Sequence, residues 1–99
     1  MIDFHRIIGF QWDAGNAIKN QVKHGVTQAE SEEIFFNQPL LVSIDAKHSD
    51  RESRYLALGV TSPGNLLSVV FTLRNNSTLI RVVSARPMSK RERAFYEKA

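Results

Sequence analysis

The stretch from Pro39 to Arg86 does most to narrow what this chain can fold into. Apolar runs of β character alternate there with short segments rich in turn formers. "PLLVSID" predicts a strand, "AKHSDRES" a polar loop, "RYLALGV" a second strand and "TSPGN" a turn with Pro-Gly punctuation. "LLSVVFTL" is long and apolar on both faces, as a central strand is; "RNNS" reads as a hairpin turn, and "TLIRVVSAR" closes the run. Consecutive strands joined this way give an antiparallel meander.

The segments on either side read as helical, apart from one short strand. "GFQWD" predicts that first strand, which leads to Asp13 as the cap of a helix with Ala14, Ile18 and Val22 on one face. Gly25 is placed to stop that helix at a positive φ, with His24 in its last turn. Thr27 and Glu30 fit a capping box, so a second helix should run to about Phe36, with Ile34, Phe35 and Phe36 anchored in the core. Pro87 ends the strand run, and Ser89 with Glu92 forms another capping box that opens a final helix. The expected order is β-α-α-β-β-β-β-α. This is an α+β fold: an antiparallel sheet with two N-terminal helices on one face and one C-terminal helix. The other face is left partly free and is the expected seat of function. With 99 residues, 42% of them hydrophobic, one domain spanning 1–99 is expected.

Charge is distributed unevenly. Residues 80–99 hold six Lys/Arg against two acids, whereas residues 1–79 hold seven bases against eight acids. A local basic patch points to a polyanion or an acidic partner. The chain has no cysteine, which removes disulfides and thiolate zinc sites and suits a reducing compartment. "MIDFHRIIGFQWD" lacks the pattern of a signal peptide, and no apolar run approaches a membrane span. A soluble, cytoplasmic protein is expected, with no cofactor and no membrane partner.

Strand alternation would put Arg81 and Arg86 on opposite faces of the last strand if no bulge intervenes. Arg81 reads either as a ligand-binding arginine or as the partner of Asp45 or Glu52. Arg86 either binds a ligand or caps a carbonyl at the strand end. Arg54 is a further candidate to join them. Arg91 and Arg93 read as solvated helix residues or as ligand contacts, and Tyr96 as a core aromatic whose hydroxyl reaches water or as a base-stacking ring. His5 lies on an N-terminal arm, and His48, flanked by Asp45 and Asp50, lies in a polar loop. No His pair at i, i+4, no P-loop, no GxGxxG and no nucleophile elbow is present. A set of Arg, Lys, His, Glu and Tyr suits metal-free chemistry on a phosphodiester, or plain nucleic-acid binding.

The residues then resemble a known family. "WD" at 12–13, "KHGV" at 23–26, the loop "DAKHSDRESRYLALG" and the closing "IRVVSARPMSKRERAFYE" are similar in order and content to the BrnT toxins of type II toxin–antitoxin modules. The resemblance implies a RelE/ParE-like fold and a ribonuclease that arrests translation. It also implies a BrnA-like antitoxin with a ribbon-helix-helix DNA-binding domain, the complex binding its own promoter DNA. Carried over by motif, it favours His24, Arg54, Arg81, Arg86, Glu92 and Tyr96 as catalytic positions acting on RNA. Lys23 joins them by motif, and with Lys90, Arg91 and Arg93 it would contact the RNA strand. Two rivals stay open: a toxin of the same architecture that inhibits a protein such as a topoisomerase, and a decayed toxin acting only in a promoter-binding complex. The N-terminal "MIDFHRII" looks longer than the family pattern, and Gly15 and Ala17 stand where charged residues are often found.

Overall fold

A computed structural model of the chain describes residues 2–13, 15, 19, 21, 23–45, 47 and 52–99. Its strands are β1 (Gly9–Gln11), β2 (Leu41–Ile44), β3 (Tyr55–Val60), β4 (Leu66–Arg74) and β5 (Leu79–Pro87). They form one sheet in the order β1-β5-β4-β3-β2, so the apolar "LLSVVFTL" run is central, as its sequence suggests. Strands β2 to β5 make the expected antiparallel meander. The sheet as a whole is mixed, however, because β1 pairs in parallel with β5. Both strands lead into helices at the same end of the sheet, which requires that they run the same way.

The two capping boxes form as the sequence predicts. Thr27 and Glu30 open α1 (Gln28–Glu33), and Ser89 and Glu92 open α2 (Lys90–Tyr96). Ahead of α1, Gly15, Lys19, Gln21, Lys23 and His24 are helical. The predicted apolar face of that helix, Ala14, Ile18 and Val22, lies outside the described residues. Gly25 stops the helix at φ +69°, its N–H donating to the Gln21 carbonyl at 2.9 Å.

After Glu33 the chain tightens into a 3-10 turn, Ile34–Phe36, which sorts three consecutive apolar side chains. Ile34 is fully buried over Gly59, where an added Cβ would lie only 2.8 Å from the Ile34 Cβ. Phe35 meets Phe71 edge-on at 5.2 Å, within the preferred range for aromatic pairs. Phe36 departs from expectation: the tight turn directs it outward and leaves it 77% exposed. Trp12 fixes the end of β1 to α1 by donating Nε1–H to Glu32 at 2.6 Å. The main core thus lies between one face of the sheet and the α1 segment, and includes Val69, Phe71, Ile80, Val82 and Ala85.

The opposite face is only partly covered. There α2 packs at one end, with Met88 and Tyr96 against Leu58. The remainder of that face carries a polar set.

Candidate nucleic-acid interface

An irregularity in β5 decides which residues this face displays. Val70 pairs with Ser84 and Phe71 with Val82, so Val83 is an extra residue without a partner in the ladder. The bulge inverts the alternation beyond it. Ile80, Val82 and Ala85 all enter the core, and Arg81, Ser84 and Arg86 all project from the other face. Simple alternation places the two arginines on opposite sides; the bulge corrects that, and they share one surface. Arg81 lies opposite Thr72 and Arg86 opposite Ser68, four positions apart on β4, or about 13 Å at strand rise. Arg54 immediately precedes β3, its carbonyl accepting the Asp45 amide at 2.8 Å. Continued alternation puts it on the same face as Leu56 and both arginines.

Each β5 arginine meets an acid, though Arg81 does not meet the acids named from sequence. Arg81 donates to Gln11 Oε1 at 3.0 Å and approaches Asp13 Oδ2 at 3.5 Å. Neither Asp45 nor Glu52 holds it, and Glu52 accepts from Arg74 at 3.0 Å instead. Arg86 grips Glu92 as a fork, at 2.7 Å and 2.9 Å, and also donates to the Pro87 carbonyl at 3.1 Å. The carbonyl cap read from sequence is thus present, and the pairing with Glu92 comes in addition to it. Thr72, between the Arg81 and Arg54 positions, is fully buried, and among the described residues its hydroxyl has no hydrogen-bond partner.

Two of the expected catalytic positions, Glu92 and Tyr96, are held in ways that do not suit proton transfer. The Arg86 guanidinium, aided by the Ser89 amide and opposed by burial, holds the Glu92 carboxyl down to about 2. A carboxylate so acidic is a poor base near neutrality, and its oxygens already serve Arg86 and the Ser89 amide. Glu92 instead stabilises the charge of Arg86. Tyr96 is 6% exposed and donates its hydroxyl to the Pro39 carbonyl at 2.5 Å, while burial raises its pKa. It is a core aromatic with an internal partner, so neither water nor a stacked base meets its ring.

His24 is better placed. It is half-buried and lines a hollow of about 210 Å³ with Glu30, Asn65, Leu67, Pro87 and Arg93. The hollow sits where β4 begins and β5 ends, next to the Arg86–Glu92 fork. Arg93 is brought to His24 by a helix more than sixty residues away in sequence. Lys23, Lys90 and Arg91 are exposed around this end. Among the described residues no three His, Asp or Glu side chains cluster as metal ligands. His48 and Asp50 lie outside the described residues.

A model of the ribonuclease toxin BrnT of type II toxin–antitoxin systems matches residues 12–92. The chain belongs to the BrnT family. Its fold is similar to the 1.1 Å crystal structure of the Brucella abortus ribonuclease toxin BrnT, with a TM-score of 0.61 at 22% identity. That match covers 84% of this chain and 99% of the Brucella chain. No curated protein sequence matches. The BrnT match spans Lys23, His24, Arg54, Arg81, Arg86 and Glu92, while Arg93 and Tyr96 fall beyond it. It also begins after β1, so the arm from Ile2 to Gln11 lies outside the matched residues. That arm carries a 3-10 turn, Phe4–Arg6, and contributes Gln11 to Arg81.

Proposed function

We propose that this BrnT-family toxin cleaves RNA without a metal ion, arrests translation in the cytoplasm and is neutralised by a BrnA-like antitoxin whose DNA-binding domain carries the complex to its promoter. The supporting observation is the bulge at Val83, which turns Arg81 and Arg86 to one face, with Arg86 adjoining Pro87 of the His24–Arg93 hollow. Attack of a 2′-hydroxyl on the adjacent phosphorus needs no external nucleophile. As the new oxygen–phosphorus bond forms, the bond to the 5′-oxygen breaks. DNA lacks the 2′-hydroxyl, so the route selects RNA.

The protein must orient the strand, move two protons and stabilise negative charge on the phosphoryl oxygens. A guanidinium suits the last task because it is planar, stays protonated and presents five donors. Arg86, preorganised by Glu92, meets one phosphate with donors not facing the carboxylate, while Arg81 and Arg54 meet the strand farther along the sheet. His24 transfers a proton, a contribution worth ~10²–10⁴ in rate. Lys23, Lys90, Arg91 and Arg93 contact the backbone as cations. Tyr96 and Glu92 act by holding α2 and Arg86 in place. The test is RNA cleavage in EDTA by the wild type, Arg81→Ala and Arg86→Ala. Wild-type activity that persists in EDTA and collapses in both variants is expected; loss in EDTA, or survival of both variants, overturns the mechanism.

A further inference from the structure

The surface that the RNA reading leaves unused is the far edge of the sheet. Among the described residues β2 is the last strand in the order, and its other edge has no backbone partner among them. Natural edge strands are usually blunted by lysine, proline or a bulge, or are covered. Strand β2 reads Leu-Val-Ser-Ile; it is short, at four residues, but carries no lysine, proline or bulge and pairs with β3 without a register shift. Hollows flank it on both faces. One, of about 540 Å³, is lined by Leu41, Leu58, Phe95 and Lys98 among others. The other, of about 390 Å³, is lined by Ile2, Val42, Ile44 and Tyr55. Ile44 and Phe95, one at each hollow, are both 64% exposed.

We propose that β2 is the docking edge for the antitoxin, which adds an extended segment with apolar side chains at alternate positions and acidic residues beside them. An added strand would satisfy the backbone groups of β2 and drop alternate side chains into the two hollows, the geometry of strand augmentation. Charge selects this occupant over a second copy of the chain. Lys98 lines the larger hollow, and the chain is +3 overall. Another copy would bring like charge to like, whereas an acidic segment meets opposite charge. The inference rests on the toxin–antitoxin reading but not on ribonuclease chemistry. It also gives neutralisation a path: a segment seated against Phe95 and Lys98 holds α2, the helix that carries Glu92 and Arg93.

The test uses the full chain and a purified antitoxin of the type II class that neutralises it, with Ile44→Lys and Phe95→Ser as variants. Both side chains are exposed, so both variants should fold with wild-type circular dichroism. Each is expected to weaken antitoxin binding by about tenfold or more. Hydrogen exchange should show amides of Leu41–Ile44 protected in the wild-type complex. Affinity within about twofold of wild type, or protection elsewhere with none on β2, overturns the proposal. So does free chain that dimerises through this edge and loses only that dimer on Ile44→Lys. RNA cleavage is measured in parallel on the free chain. A protected β2 in a chain that cuts no RNA would remove the nuclease reading alone; active chain with an unprotected β2 would remove the docking reading alone.

Discussion

Arg81 and Arg86 leave the same face of the same strand, yet they are held differently. Both are tied to the start of a helix. Asp13 accepts the Gly15 amide with one oxygen at 2.8 Å and faces Arg81 with the other. Glu92 completes the Ser89 capping box and faces Arg86. Beyond that the likeness ends. The Asp13 side chain is 50% exposed and 3.5 Å away, and Arg81's shorter bond is to the neutral Gln11. The Glu92 side chain is 18% exposed and takes Arg86 in a two-bond fork. Exposed pairs contribute ~0–1 kcal/mol, while forked charge-assisted bonds are stronger and directional. One strand thus carries a fixed cation near its end and an adjustable one near its start.

Catalysis offers the largest effect. Arg81→Ala and Arg86→Ala should each lower RNA cleavage by ~10²–10³. Lysine replacements separate the two. Arg86→Lys loses the planar fork and should fall nearly as far as alanine, whereas Arg81→Lys keeps a mobile cation and should retain at least about tenfold more activity than Arg81→Ala. Equal losses for the two lysine variants in a single-turnover assay would erase the distinction.

Stability should divide the acid partners the same way. Glu92→Ala removes a capping box and the partner of Arg86, and should cost about 2 kcal/mol in urea unfolding. Asp13→Ala removes one cap and a loose pair, and should cost about 1 kcal/mol. The acid limb sharpens the contrast. Glu92 stands at about 2 in the folded chain against an ordinary 4.5. A depressed carboxyl stabilises the fold fully above its unfolded value, and that contribution is lost as pH falls from about 4.5 toward 2. Over that window the advantage of wild type over Glu92→Gln should shrink. An advantage that stays constant would mean Arg86 does not hold the carboxylate.

Much of the fold was legible in the chain because local rules decided it. Both capping boxes, the stop at Gly25, the turn at Asn75–Ser77 with its positive φ values, and the central place of β4 follow from neighbours a few residues apart. The misreadings came where distant segments meet. Nothing local to "IRVVSAR" announces a bulge at Val83; it reflects how β5 must match β4 while sending Val82 and Ala85 into the core. The same holds for the parallel pairing of β1, for Gln11 and Asp13 as the partners of Arg81, and for Arg93 beside His24. Tyr96 was half legible: the reading of its ring as a core aromatic holds, packed with Leu58 and Met88, whereas the partner of its hydroxyl, the Pro39 carbonyl 57 positions away, is another meeting of distant segments. A signal for Phe36 was present but weak, since three adjacent apolar residues cannot all face one core.

The smallest effect is the most discriminating. Asp13→Asn keeps an oxygen for the Gly15 amide, and asparagine caps helices as well as aspartate does, so stability should change by less than about 0.5 kcal/mol. What the substitution removes is the charge that competes with phosphate for Arg81. RNA affinity should therefore rise about twofold at low salt, and the gain should fade as added salt screens the exposed carboxylate. Glu92→Gln should act in the opposite sense, because there the carboxylate holds the guanidinium in place rather than competing for it. Filter binding of a short RNA to the two variants across a salt series measures both signs. Should Asp13→Asn weaken binding as Glu92→Gln does, then Asp13 positions Arg81 too, and both ends of β5 are fixed.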